Sequence, residues 1–320
     1  MKYLSEYSTG DRVAGIYFVK EKSELISVKG KPYHSIKIQD KTGIIDGKIW
    51  DVTNGGIAEY DSGDYIDIIG EMKQFNNAPQ ISIQRVRKAY DTEYNLEDYI
   101  PSSSKTRESM WNEFLEIKES IKNKYLHALL DSFFVEDEEI IKKFYNHSAA
   151  KAMHHAFLGG LLEHTLSVAK LCDTISKKYI NIDRDLLITG AMLHDIGKTV
   201  ELTPFPKNDY SDEGQLLGHI LIGCEMIHDR VKKIDKFPPI LETQIKHLLL
   251  SHHGEYEYGS PKKPAIIEAL ALNLADNLDA KMEMFLEILG DNQKKNGESM
   301  WLGFNKAFDS HIRRTSIQNE

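Results

Sequence analysis

The hydrophobic period of this chain changes near residue 100, and that change limits the fold more than any other feature. Between residues 11 and 89 apolar residues recur in short stretches of period two, the pattern of half-buried strands. Val13 to Val19 is apolar and aromatic, KPYHSIKIQD alternates around Ile36 and Ile38, and GIIDGKIW repeats apolar positions from Ile44 and Ile45 to Ile49. The turn DKTG separates the last two, and Gly43 can take the positive φ of a bulged hairpin there. Residues 54–60, NGGIAEY, read as a short helix, and DYIDIIGEM and QISIQRV follow as two strands around the polar turn FNNAP. Three strands, a helix and two strands is the order of an OB-fold barrel.

Residues 91–109 are polar, with Pro101 followed by three serines, and read as a linker. Beyond them apolar residues sit three and four apart in MWNEFLEIKESI, GGLLEHTLSVAKLCDTI, RDLLITGAMLHDIGK, GQLLGHILIGCEMIHDRV, ILETQIKHLLLSHH and PAIIEALALNLADNLDAKMEMFLEIL, the helical spacing. The tail after Gly290 is only weakly patterned. The expected architecture is multidomain α+β: an N-terminal OB-fold β-barrel over 1–90, a linker over 91–109 and an all-α domain over 110–320. A chain of 320 residues exceeds what one compact core holds, in keeping with two domains.

Composition removes several classes. With 41% hydrophobic and 28% charged residues the chain is an ordinary folded one, so wholesale disorder is excluded. No apolar run reaches the roughly 18–20 residues that span a bilayer, and MKYLSEYSTGDRV has no apolar core of a secretory signal. No membrane partner is expected. Cys172 and Cys224 stand apart without a CxxC, which fits a reducing compartment and a cytoplasmic location. Both are expected to pack between helices, as are Met282 and Met284. The net charge of −9 does not advertise nucleic-acid binding. Residues 1–90 nevertheless hold 13 Lys+Arg against 12 Asp+Glu, leaving −10 for residues 91–320, so the barrel is the half less repulsive to a polyanion.

Nine of the 13 histidines fall between His154 and His253, without the paired cysteines of a zinc-finger array. In AMLHDIGK an apolar helix ends in His194 and Asp195, followed by Gly197 and Lys198. An imidazole and a carboxylate adjacent at a helix end can point at one ion, and the carboxylate can bridge two. The dipeptide alone is weak, since His228 and Asp229 repeat it in a polar setting. More demanding is the ordered set His164, His194, Asp195, His219, His252, His253 and Asp276. Its members sit among small or apolar residues in LLEHTLSV, GHILIG, LLLSHHG and LNLADNLDA. An unpartnered polar group in such surroundings costs about 1–3 kcal/mol, and a metal would satisfy all of them together.

The order H…HD…H…H…D resembles the HD superfamily of metal-dependent phosphohydrolases in its two-metal form. More narrowly, HHAFLGGLLEHTLSVA, AMLHDIGK, LLGHI, SHHGEYEYGSPKKP and EALALNLADNLDA resemble the YhaM-type 3′→5′ exoribonucleases, which carry an OB-fold ahead of the HD domain. The resemblance covers nearly the whole chain; its C-terminal motifs are specific and its barrel part is generic. It implies His164, His194, Asp195 and Asp276 around one metal. Asp195 would bridge to a second metal held by His219 and one of His252 and His253, with His252 favoured. Lys198 matches the lysine after the HD motif, expected to touch a phosphate oxygen or bound hydroxide, against the reading of a solvated helix-end lysine. His154, His155, Gly159 and Gly160 match the family motif and are expected to line the pocket.

The implied chemistry follows from charge. A phosphodiester is an anion, so two ions about 3.5–4 Å apart are needed to lower the pKa of a bridging water and clamp the oxygens of an in-line displacement. Imidazoles and carboxylates without a thiolate suit Mn²⁺ first, then Fe²⁺ or Co²⁺. Asp195 and Lys198 are the candidate catalytic pair. In the barrel Tyr33, Trp50 and Phe75 stand on or beside the strands, with Lys37, Lys48, Arg85 and Arg87 near in sequence. OB folds hold single strands through such aromatics and cations, although aromatics in a small barrel, Trp50 above all, more often fill its core.

The resulting expectation is a hydrolase that degrades single-stranded RNA, with single-stranded DNA as a second substrate, from the 3′ end to nucleoside 5′-monophosphates; a homo-oligomer is compatible with the sequence. One alternative is an HD phosphohydrolase of small nucleotides, weakened because SHHGEYEYGSP lacks GYP and the barrel would be idle. The other is a non-catalytic nucleic-acid-binding regulator, which has no use for six convergent ligands. No GxSxG, Walker A sequence or GxGxxG after a strand supports a rival mechanism.

Overall fold

The computed structural model describes residues 2–315 apart from 29, 76–77, 96–97, 100–105, 151–156, 205–206 and 296–299. Strands β1 (Arg12–Ile26), β2 (Pro32–Asp40), β3 (Gly43–Ile49), β4 (Tyr65–Phe75) and β5 (Ala78–Lys88) close a barrel in the order β1-β2-β3-β5-β4. Neighbours run antiparallel except β3 and β5, where Asp46–Lys48 lie parallel to Gln80–Ser82. The long β1 serves two neighbours: residues 12–18 pair with β4 and residues 18–26 with β2, and the register shifts between Val19 and Glu21 as it passes from one to the other. The alternating residues become the barrel core, with Val13, Tyr17, Val19, Ile36, Ile38, Ile49, Ile66, Ile68 and Ile81 buried together. The predicted tight turn is two residues long, Asp40 pairing with Gly43, whose φ is 148°.

Two expectations for this half are corrected. Residues 54–60 are not helical: the side chains of Asp51 and Asn54 accept from Thr53 and Gly56 N–H, local bonds that compete with a helix in a Gly55–Gly56 segment. Ile57 instead bridges in parallel to Val86, and Tyr60 enters the core. Nor is the stretch after residue 90 a free linker throughout. Tyr94 stacks on Tyr65 at 3.9 Å, and buried Tyr99 accepts a hydrogen bond from Gln39 Nε2 through its carbonyl. Phe18, Tyr65, Ala89 and Tyr99 make a small second cluster on the barrel. A polar-looking segment with two tyrosines can bury its rings and leave its carboxylates outside.

The helical half comprises α1 (Arg107–Glu119), α2 (Lys124–Phe134), α3 (Glu138–Asn146), α4 (Gly160–Lys178), α5 (Arg184–Leu193), α6 (Lys198–Glu201), α7 (Asp212–Val231), α8 (Pro239–Ser251) and α9 (Ile267–Lys295). Side chains of Thr106, Asn123, Asp137, Asp183 and Ser211 cap α1, α2, α3, α5 and α7 by accepting from first-turn N–H groups. Helix α5 lies at the centre, with Leu186 to Leu193 all buried. At Gly190 a Cβ would fall 2.1 Å from Leu248 Cδ2, so the glycine is what lets α8 close on α5. Cys172 and Cys224 are buried and free, as helix-packing residues should be. Met282 is not: it is 54% exposed on α9.

The weakly patterned tail holds a hairpin of β6 (Trp301–Asn305) and β7 (Ser310–Arg313), which adds a small β element to the otherwise helical half. Among the described residues no helix is long and apolar enough to cross a membrane.

Candidate metal centre

Five helices deliver the predicted ligands to one place. His164 comes from α4, His194 and Asp195 from the end of α5, His219 from α7, His252 and His253 from the end of α8, and Asp276 from α9. The backbone sets the rings. His194 Nδ1–H donates to Ala191 O at 2.8 Å and His252 Nδ1–H to Leu249 O at 2.7 Å, which turns both Nε2 lone pairs inward. Helix α7 breaks at Gly218, where φ is 74° and ψ is 156°, and this break sets His219 at the start of the second helical segment.

Asp195 stands between two clusters. Its Oδ2 lies 3.3 Å from His194 Nε2 and 3.6 Å from His164 Nε2. His164 Nε2 is in turn 3.1 Å from Asp276 Oδ1. Asp195 Oδ1 lies 3.4 Å from His219 Nε2 and 3.8 Å from His252 Nε2. Ligand atoms of His164, His194 and Asp276 fall within 4.8 Å of one another, and so do those of His219, His252 and His253. His252 is buried and His253 half-buried, so the structure brings both to the second cluster. Lys198, at the start of α6, donates to Asp195 Oδ2 at 2.7 Å.

The donor set fits divalent cations. Among the described residues Asp195 Oδ1, His219 Nε2 and His252 Nε2 are buried without a hydrogen-bond partner, and they face each other. Two imidazole lone pairs and a carboxylate oxygen cannot satisfy one another, whereas one cation satisfies all three. The charges agree. Burial opposes charge on His164, but its bonds to Asp276 and Asp279 outweigh that and raise its pKa to about 10. Burial likewise opposes the Lys198 ammonium, and Asp195 holds it protonated. Burial pushes Asp195 up, yet Lys198, His194 and His219 keep it well below the usual carboxylate range. Burial depresses His252 and His253, with adjacent imidazoles adding to the effect, so both rings stay neutral and able to ligate. Four carboxylates, Asp195, Asp276, Asp279 and Glu201, thus meet the Lys198 cation and a His164 proton that a bound ion would displace from Nε2.

Two members of that set escaped the sequence reading. Asp279 accepts from His164 Nδ1–H at 2.7 Å and from the Ser167 hydroxyl. Glu201 Oε1 accepts from both the backbone N–H and Nδ1–H of His219, each at 3.0 Å. Asp279 lies three residues after Asp276 on one helix, a spacing that places them on one face and offered a usable signal. Glu201 had none, because its contact depends on the break at Gly218. His154 and His155 lie outside the described residues. Gly159 caps α4 with φ 82°.

A cavity of about 530 Å³ opens on the centre, walled by Lys198, Tyr258, Asn273, Asn277, Lys281 and Met284 among others. One more group of potential ligands, Glu119, His127 and Asp131, lies elsewhere. There the buried Lys118 ammonium already sits on Asp131 and, at 2.7 Å, on Glu119, so its charge is balanced without an ion.

On the barrel Trp50 is 53% exposed, so the core reading set beside its candidate binding role does not hold. Ile49 takes the inward place, and alternation sends Trp50 out, where Tyr33 stacks on it at 4.8 Å and 25°. The Lys48 ammonium is 5.9 Å from the Tyr33 ring centre. Phe75, at the end of β4, and Arg85, on β5, are also exposed. Lys37 is paired with Glu21, and Arg87 with Asp67 and Glu93.

An HD-domain family model matches residues 161–281, the stretch that holds every one of these candidate ligands. The chain is similar to the HD domain of the Listeria (L.) monocytogenes phosphodiesterase PgpH, at 20% identity over 49% of this chain and 85% of that one, with a TM-score of 0.30. It is also similar to the second OB-fold domain of replication protein A from Methanococcus maripaludis, at 24% identity over 30% of this chain and 98% of that one, with a TM-score of 0.23. A replication protein A heterotrimer bound to ssDNA matches at 22% identity and a TM-score of 0.22; the match covers 28% of this chain and 64% of that chain. The architecture is an OB-type barrel followed by a helical HD domain, the barrel as the strand order implied and the HD domain as the family resemblance implied.

Proposed function

We propose that this chain is a metal-dependent phosphodiester hydrolase that shortens single-stranded RNA, and single-stranded DNA by the same chemistry, from the 3′ end to nucleoside 5′-monophosphates. The observation that carries the hydrolase reading is Asp195, whose two oxygens face two separate sets of ligand atoms inside an HD domain. His164, His194, Asp276 and Asp195 would hold one divalent ion, and His219, His252 or His253, and Asp195 a second. Mn²⁺ suits this nitrogen and oxygen set, with Fe²⁺ and Co²⁺ next. Ions held there supply Lewis acidity toward a phosphoryl oxygen and a nucleophile at neutral pH.

The side chains of this chain do the rest. Asp279 and Glu201 fix the tautomers and aim of His164 and His219. Lys198 carries a fixed positive charge at the cavity wall, where an entering phosphate meets two carboxylates that would otherwise repel it. The stack of exposed Trp50 on half-buried Tyr33, with Lys48 beside it, supports strand capture by the barrel, since stacked aromatics and a cation suit single strands of any sequence. The 3′ polarity and the RNA preference rest on the sequence resemblance to YhaM-type enzymes.

Oligoribonucleotides labelled at either end, incubated with the full chain and Mn²⁺, test this directly. A 3′ label is expected in mononucleotide from the first time point, while a 5′ label passes through a descending ladder. Hydrolysis confined to small nucleotides would replace the reading with the first alternative. Binding without hydrolysis under any divalent ion would replace it with the second.

A further inference from the structure

The C-terminal hairpin is built with two unlike faces. Trp301 pairs with Arg313 and Phe304 with His311, with a register shift between Trp301 and Gly303. Trp301 and Phe304 are three residues apart and would point to opposite faces of a regular strand; the shift corrects this, because their partners are two residues apart and share a face. The ring contacts agree: the Arg313 guanidinium lies 5.9 Å from the Trp301 ring centre, and the His311 ring meets Phe304 edge-on at 5.4 Å. Both rings are more than half exposed, Trp301 at 59% and Phe304 at 54%. The other face is the anchor: Ile312 is buried, and Phe308 in the turn packs against Phe285 of α9 at 5.2 Å.

Two further facts say what the open face meets. Ala307, in the hairpin turn, is part of the wall of the metal-site cavity. Phe304 is three residues away, at most about 10 Å along the chain, so the aromatic face lies close to the rim of the cavity. The segment 301–314 also carries Lys306, Arg313 and Arg314 against Asp309, a local excess of positive charge within residues 91–320, whose balance is −10. A ring paired with a cation, beside a second exposed ring and a cavity large enough for a nucleotide, suits a polyanion with flat bases, whereas an apolar protein partner has no need of the cation.

We infer that the β6–β7 hairpin is a second stacking platform for single-stranded nucleic acid, holding the nucleotides next to the one in the catalytic cavity. This rests on the reading of the centre as one that acts on a polynucleotide.

The test is the affinity of the full chain for fluorescein-labelled homopolymeric oligoribonucleotides, read by anisotropy in EDTA so that nothing is cleaved. Trp301→Ala and Phe304→Ala should each weaken binding by about 5-fold to 150-fold, the range that base stacking on one ring gives. Trp301→Phe and Phe304→Tyr should restore most of it, which a loss of fold would not allow. Arg313→Ala should lower the slope of log affinity against log salt by about 0.7. Tyr179→Ala, an exposed ring elsewhere on the helical half, is the unaffected control. Wild-type affinity in both alanine variants overturns the inference. A change in particle mass by light scattering at unchanged affinity also overturns it, by making the face a contact between copies. Hairpin-dependent binding by a wild-type protein that hydrolyses no polynucleotide supports the platform and removes the catalytic reading alone.

Discussion

Glu201 offers the sharpest check on the metal centre, because it touches no proposed ion and acts only through His219. Its Oε1 accepts two hydrogen bonds from that one residue, the ring Nδ1–H and the backbone N–H left open by the break at Gly218. Burial alone would raise the Glu201 pKa, yet the bonds from His219 hold it below the usual range, so the carboxylate is charged and both bonds are charge-assisted. Such bonds contribute about 1.5–3 kcal/mol each, against about 1 kcal/mol for neutral ones. Glu201→Gln keeps an oxygen in place and loses the charge. It should weaken the second metal site about 10-fold, the low end for an orienting neighbour, with a smaller loss of thermal stability than the alanine variant shows. Glu201→Ala loses both bonds and strands the N–H, at about 1–3 kcal/mol, or a fall in Tm of roughly 2–12 °C, and weakens the site toward 100-fold. Calorimetric titration with Mn²⁺ reads the affinity, and scanning calorimetry in EDTA reads the stability. Wild-type Mn²⁺ affinity in both variants would refute the positioning role. Affinity that merely tracks Tm across the pair would show that Glu201 is a packing residue.

Other outcomes follow from the same contacts. Asp195→Asn removes the charge that faces both clusters; hydrolysis should be abolished and Mn²⁺ stoichiometry should drop in a folded protein, while His228→Ala, whose ring meets Glu242 at the surface, should stay within about 0.5 kcal/mol of wild type. In Gly197→Ala the new Cβ would fall 2.0 Å from His219 O and 2.8 Å from Gly223 N, so α7 must shift; metal titration should show the His219 cluster weakened more than the His164 cluster, at an overpacking cost of about 1–3 kcal/mol. Tyr33→Ala or Trp50→Ala should weaken binding to long single strands by about 1–3 kcal/mol by anisotropy, and unchanged affinity would remove the barrel from strand capture. The Asp137 carboxylate is held low first by the Ile140 N–H at the start of α3 and then by Arg230, so its stabilisation is complete above the ordinary carboxylate pKa and fades as pH falls through its lowered folded value. Asp137→Ala should therefore cost about 1 kcal/mol in urea unfolding at neutral pH and nothing once both carboxylate pKa values are passed.

Period and composition were enough for the two halves, because a barrel strand and a core helix each bury one repeating face. The convergence of the candidate ligands was legible for a related reason: histidine and aspartate among leucines must find partners, and only convergence supplies them. Segments whose structure depends on tertiary partners were not legible. Tyr94 and Tyr99 looked like linker until Tyr65 and Gln39 gave them a surface, and Trp50 looked like core until Ile49 had taken the inward position. The hairpin at 301–313 was hidden because the register shift breaks its alternation, so no period of two survives in the sequence. Glu201 was hidden by the positive φ of Gly218, which no spacing rule announces.

The charge distribution restricts how a polynucleotide can reach such a centre. Residues 91–320 carry an excess of ten negative charges, so the long-range field of the helical half disfavours approach of a polyanion. At physiological salt that field fades over about 8 Å, and within that distance a strand meets individual side chains rather than net charge. Capture then depends on short-range stacking with a few cations, which is what Tyr33, Trp50 and Lys48 offer on the barrel and Trp301, Phe304 and Arg313 offer on the hairpin. Added salt weakens the phosphate contacts but also screens the repulsion, and stacking is insensitive to it. A binder of this design would therefore hold single strands with a shallower salt dependence than its 40 basic residues would suggest, and would select against duplexes, whose bases are not free to stack.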